Sequence, residues 1–121
     1  MIPKLQFTST LFSTVVLHAY AKQDANLHFL CLMVTMSSIA NHSASNWYIR
    51  IIDMIFAHAL CGYAAINLAI MWDPLVFLVG IVAVIWGLEK YACVPDSVSI
   101  NLHAVLHIVA VVGLHLYLYM H

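Results

Sequence analysis

The chain has 121 residues, of which 64% are apolar and 7% charged, and its net charge is −1 with histidine neutral. A soluble domain is about 25% charged, so this composition excludes a soluble globule and a disordered chain. Four basic residues make no phosphate-tracking stripe, so nucleic acid is excluded as a partner. What remains is a small all-α integral membrane bundle, one domain over residues 1–121, with eight histidines as its second anomaly.

A bilayer core takes about 20 apolar residues per helix, and polar punctuation divides the chain into five such spans. The first runs from Leu5 to Ala21 and stops at Lys22-Gln23-Asp24. The second runs from Ala25 to His42 and stops in the polar stretch from His42 to Asn46. The third runs from Trp47 to Met71 and stops at Trp72-Asp73-Pro74. The fourth runs from Leu75 to Cys93 and stops at Val94-Pro95-Asp96. The fifth runs from Ser97 to Met120, with Pro95-Asp96-Ser97 as its cap. Connections this short make consecutive helices antiparallel neighbours. The spans are too long and unalternated for barrel strands.

Span one has a rival reading. Lys4, a modest apolar run diluted by Thr8, Ser9, Thr10, Ser13 and Thr14, and Ala19-Tyr20-Ala21 resemble a cleavable signal peptide. Taken as a span, it sets the orientation with the others. Lys4, Arg50 and Lys90 gather at one face and Lys22 at the other, which places the N-terminus in the cytosol. Cys31, Cys61 and Cys93 have no CxxC spacing and read as small buried hydrophobes.

Polar groups at membrane depth are costly, and one set of them converges. Ser38 and His42 are four residues apart near the end of span two. Asp53 lies about two turns into span three, and His103 and His107 are four apart near the start of span five. In an antiparallel bundle these three places lie at the same membrane face. Three imidazoles from two helices with one open position is the ligand count of a catalytic zinc site. A carboxylate that is not a ligand can take the proton of the metal-bound water, and a serine can support a developing oxyanion. The plain alternatives are an Arg50–Asp53 pair at the interface and His103 and His107 as hydrogen-bonding glue between helices.

Ser38-Ile39-Ala40-Asn41-His42, then Asp53, then His103-Ala104-Val105-Leu106-His107 resembles the CREST superfamily of alkaline ceramidases, adiponectin and progestin receptors and hemolysin III-like proteins. Arg50-Ile51-Ile52-Asp53 looks like the Arg-x-x-Asp of the hemolysin III and receptor branch, and His103 to His107 looks like the His-Ala-x-x-His of the ceramidase branch. The resemblance implies zinc held by His42, His103 and His107, with Asp53 and Ser38 beside its water. It covers less than half of the chain, and in a shortened form, with five spans where the family has seven. Asn41 stands where family members usually carry an aromatic residue, Leu106 where the ceramidases tend to have Trp, and Met54 replaces an acidic residue.

The expected function is therefore intramembrane zinc-dependent hydrolysis of an N-acyl lipid, ceramide-like, with the lipid approaching from within the bilayer. A non-enzymatic receptor-like or assembly protein that keeps a structural metal is the first alternative. A b-type haem anchor drawing on His18, His28, His58 and His115 is the second. His58, five residues after Asp53, is expected off its face and hydrogen-bonded to another helix, Asn67 is expected to bind a neighbouring helix, and His115, near Gly113, is expected to be structural. Trp47, Trp72, Tyr91, Tyr117 and Tyr119 form the expected aromatic belt. Ala57, Cys61, Gly62, Ala64, Ala65 and Gly113 are the expected points of close helix approach. Five helices make a thin wall around a metal site, which is compatible with a homo-oligomer.

Overall fold

In the computed structural model the described residues are 3–43, 46–91 and 95–120. Cys93, Val94 and His121 lie outside them. All elements among the described residues are α-helices: α1 (Pro3–Thr10), α2 (Phe12–Ala21), α3 (Ala25–Ser43), α4 (Trp47–Ile70), α5 (Val76–Tyr91) and α6 (Asp96–Met120). The first expected span is thus two helices with a step at Leu11. Leu11 keeps right-handed helical dihedrals (φ −62°, ψ −26°). Its N–H donates to the Thr8 carbonyl at 3.2 Å and its carbonyl accepts from Thr14 N–H at 3.1 Å, so the turn is tightened to three-residue bonds. The hydroxyls around it explain the step. Thr8, Ser13 and Thr14 each donate to the carbonyl three residues back, which competes with the helix ladder.

The connections are short because their ends are capped. Gln23 (φ 60°) and Trp72 (φ 55°) take the left-handed conformation that ends a helix. In both turns the next residue closes a bond five residues back, Asp24 N–H to Ala19 O and Asp73 N–H to Leu68 O, each at 3.0 Å. That aspartate then turns to the following segment. Asp24 Oδ1 accepts from Leu27 N–H at 3.1 Å and Asp73 Oδ1 from Leu75 N–H at 2.9 Å. Asn46 caps α4 in the same way, accepting from Tyr48 N–H at 2.9 Å.

Cross-helix contacts fix the topology. Ser9 meets Ser38 while Val16 meets His28, so α1 and α2 run antiparallel to α3. Asn41 meets Asp53 while Asp24 meets Tyr63, so α3 and α4 are antiparallel. Glu89 meets His103 while Leu78 approaches Gly113, so α5 and α6 are antiparallel. Thr8 meets His107 while His18 meets His115, so the first and last segments run parallel. Each segment packs on its chain neighbours and α6 packs back on α1 and α2, closing a ring of five. An odd number of antiparallel steps must close on one parallel pair, and this ring does.

The core between them is apolar, built around Phe12, Val15, Leu27, Cys31, Leu60 and Leu118. Span one is part of it: Val15 and Ala19 are fully buried. The exterior is also apolar. Phe77, Leu17 and Ile66 are 75%, 72% and 62% exposed. α4 and α6, at 24 and 25 residues, are long and apolar enough to cross a membrane.

Some expected packing differs. Tyr117 is buried in the core and not part of a belt, whereas Trp47, Trp72, Tyr91 and Tyr119 are exposed near helix ends. Gly62 has open space where a side chain would stand, so no helix approaches it closely. Gly113 does lie against Leu78, at 3.4 Å from the position a Cβ would take. Asn67 donates to the Tyr63 carbonyl of its own helix at 2.7 Å.

Candidate metal centre

Helix α3 presents two polar registers in Ser37-Ser38-Ile39-Ala40-Asn41-His42. Residues four apart share a face, so Ser38 and His42 form one row and Ser37 and Asn41 the adjacent one. The first row faces α1 and α6, and the second faces α4. Helix α6 brings His103 and His107 on one face by the same spacing.

His42, His103 and His107 form one cluster, with a ligand atom from each lying within 4.8 Å of the others. Ring centroids are 5.1 Å apart for His42 and His103, 5.7 Å for His42 and His107, and 4.5 Å for His103 and His107. His42 and His107 are buried and His103 is half-buried.

Hydrogen bonds on the far sides of two rings choose the tautomers. Glu89 Oε2 lies 2.7 Å from His103 Nδ1, so Nδ1–H donates to the carboxylate and Nε2 keeps its lone pair. Thr8 Oγ1 donates to Leu5 O at 3.2 Å, so its oxygen accepts from His107 Nδ1–H at 2.8 Å, again leaving Nε2 as acceptor. His42 Nε2 is buried with no hydrogen-bond partner among the described residues. An unmet buried polar atom costs about 1–3 kcal/mol, and a cation among the three rings satisfies it. Carboxylate or hydroxyl support behind an imidazole is the usual way a ligating histidine is oriented. The cluster can therefore hold a metal ion.

Asp53 is buried at the start of α4 and its partners come from α3. Ser37 Oγ donates to Oδ1 at 3.2 Å and Asn41 Nδ2 donates to Oδ2 at 3.0 Å. The Arg50 pairing is not among its hydrogen bonds, and Arg50 is exposed. Asn41, the departure from the resembled family's aromatic residue, is thus a partner of the acid. Ser38 is buried with its Oγ 2.7 Å from Ser9 Oγ. If Ser9 donates, the Ser38 proton is free for the interior.

Ser38, Asp53, His103 and His107 line one cavity of about 110 Å³. His58 lines it too, despite the expectation from its spacing; its Nδ1 lies 2.7 Å from Met54 O of its own helix, in place of the expected bond to another helix, and its ring stands edge-on to Trp86. An apolar cavity of about 50 Å³ between α4, α5 and α6 adjoins it, with Leu60, Cys61, Val82 and Ala110 in both walls.

Three other histidines are engaged elsewhere. His18 and His115 stack with their Nδ1 atoms 2.8 Å apart, and His115 Nε2 lies 2.8 Å from Thr14 Oγ1. No slot for a porphyrin separates those two rings. His28 Nδ1 meets the Val16 carbonyl at 3.0 Å.

Sequence reasoning missed Glu89, Thr8, Ser9 and Ser37. The signal for three of them was present. In an antiparallel bundle the start of span one and the end of span four lie at the same face as the histidines. Alanine at Glu89 leaves the His103 ring unheld, and the expected result is about a 10–100-fold weaker metal affinity, read by titration with cobalt against a competing chelator. Unchanged affinity in the Glu89→Ala protein would show that the carboxylate does not support the ligand.

No family model, no curated protein and no solved structure matches this chain.

Proposed function

We propose that this chain is a multi-pass membrane protein of five spans whose three-histidine centre hydrolyses an N-acyl lipid, as a shortened relative of the CREST superfamily. The observation that carries the reading is the buried Nε2 of His42, without a hydrogen-bond partner among the described residues, in one cluster with His103 and His107, whose Nδ1 atoms are both held from behind. A buried carboxylate, Asp53, lines one cavity with His103 and His107 and adds the second group a hydrolase needs. The apolar exterior supports a bilayer as the surrounding medium. Orientation with the N-terminus cytosolic follows from the basic residues.

His42, His103 and His107 would hold zinc, which when bound supplies an activated water and polarises a carbonyl. Ser37 and Asn41 fix both Asp53 oxygens and so aim the carboxylate from α4 into the cavity, where it accepts a proton from water. Ser38, supported by Ser9, donates to the carbonyl oxygen as charge develops there. The adjoining apolar cavity receives an acyl chain and keeps water from it. A ceramide-like amide satisfies each of these requirements.

A second reading, a metal kept for folding in a non-catalytic protein, is favoured by the same two hydrogen bonds to Asp53, since they also clamp α3 to α4. The test of the first reading is elemental analysis of detergent-purified protein together with turnover of an acyl-amide panel. The expected result is about one zinc per chain and hydrolysis that stops on chelation and returns with zinc. Folded protein without metal overturns both readings, and zinc without turnover leaves the second.

A further inference from the structure

Two of the four basic residues reach the candidate site. Arg50 at the start of α4 and Lys90 at the end of α5 both line the 110 Å³ cavity, together with Asp53 and His103. Among the described residues neither forms an ion pair; the pair there is His103 with Glu89. Lys90 Nζ instead lies 5.9 Å from the centroid of Trp86, which lines the same cavity. The two carboxylates nearby are committed, Glu89 to His103 and Asp53 to Ser37 and Asn41.

Charge decides what this arrangement accepts. Arg50 and Lys90 balance Asp53 and Glu89 while the histidines are neutral. A divalent ion on the three imidazoles would leave positive charge in excess. Val34, Leu60 and Val82 line the same cavity, and Arg50 and Lys90 are exposed side chains on its border. An anionic group entering with the ligand removes the excess. Guanidinium is suited to bidentate contact with phosphate, and ammonium binds it as a point charge.

We propose that the substrate is an acyl amide whose head group carries a phosphate, held between Arg50 and Lys90 at the mouth of the cavity. The inference rests on the hydrolase reading and narrows it from neutral to anionic lipids.

The experiment measures equilibrium binding of tritiated ceramide 1-phosphate, and of the ceramide with the same chains, to purified protein in neutral detergent. The wild-type protein is expected to bind the phosphorylated lipid at least about tenfold more tightly. The preference should weaken as salt is raised. In R50Q/K90Q the ratio should fall towards one with zinc content unchanged, and R50K/K90R should restore most of it. Equal binding by the wild type, or a ratio indifferent to R50Q/K90Q, overturns the proposal and leaves the two cations as mere headgroup contacts. A free fatty acid of the same chain that binds as tightly as the phosphorylated lipid overturns phosphate as the recognised group. Zinc without the preference sinks the anion site alone. The preference without zinc sinks the hydrolase reading alone.

Discussion

His42→Ala is expected to yield folded protein without bound metal. Structural zinc sites supply about 10–16 kcal/mol through four ligands, so one imidazole accounts for roughly 3–4 kcal/mol of that. Its loss therefore weakens binding by at least about 100-fold. The three ligand substitutions should differ in what else they do. His103→Ala strands the Glu89 carboxylate, and His107→Ala removes the donor to Thr8. His42 Nε2 has no partner to strand, so in metal-free protein His42→Ala removes an unmet polar atom. Thermal unfolding in excess chelator should find His42→Ala at least as stable as the wild type relative to the other two, once the lost packing is matched by His42→Leu. Elemental analysis of the three variants beside His28→Ala, which lies outside the cluster, reads the metal. Zinc retained by His42→Ala would show that these three histidines do not together hold it.

The five segments were legible because their ends carry chemistry that a helix interior avoids. Gln23-Asp24 and Trp72-Asp73 use one device, a left-handed residue followed by a capping aspartate, and both stand where polar punctuation marks them. The meeting of His42 with His103 and His107 was legible for a different reason. Alternation of direction is nearly forced by short connections, and it sorts every residue by end of the bundle.

That same sorting reaches Glu89 and Thr8. Glu89 bonds a histidine from α6 and leaves its neighbour Lys90 to Trp86. Thr8 and Ser9 were read as dilution of an apolar run. A threonine in a helix can return its proton to its own backbone and still offer its oxygen outward, and Thr8 does so, to Leu5 and to His107. What the sequence withholds is azimuth. Asn67 turns to its own helix, Tyr117 inward, and Gly62 to open space because the position of neighbours around the ring, and not depth along it, decides each one.

Azimuth also decides Asp53, and Asp53→Asn separates its charge from its geometry. Asparagine has the same shape and can still accept at Oδ1 from Ser37. Its Nδ2 would face the Nδ2 of Asn41, a clash of donors that a flip of the Asn41 amide relieves by presenting Oδ1 instead. The variant is therefore expected to fold, to keep its zinc and to unfold within about 1 kcal/mol of wild type. Turnover is expected to fall about 10²–10⁴-fold, the usual contribution of a positioned proton acceptor. Asp53→Ala should behave otherwise: it strands the Asn41 donor, while Ser37 falls back on the Val34 carbonyl, and it costs about 1–3 kcal/mol of stability as well. Kinetics, zinc content and unfolding measured on both variants give two distinguishable patterns. Loss of turnover in Asp53→Asn with metal and stability intact assigns the carboxylate to chemistry. Full turnover in that variant, with stability lost only in Asp53→Ala, makes Asp53 a clamp between α3 and α4 and its proton irrelevant.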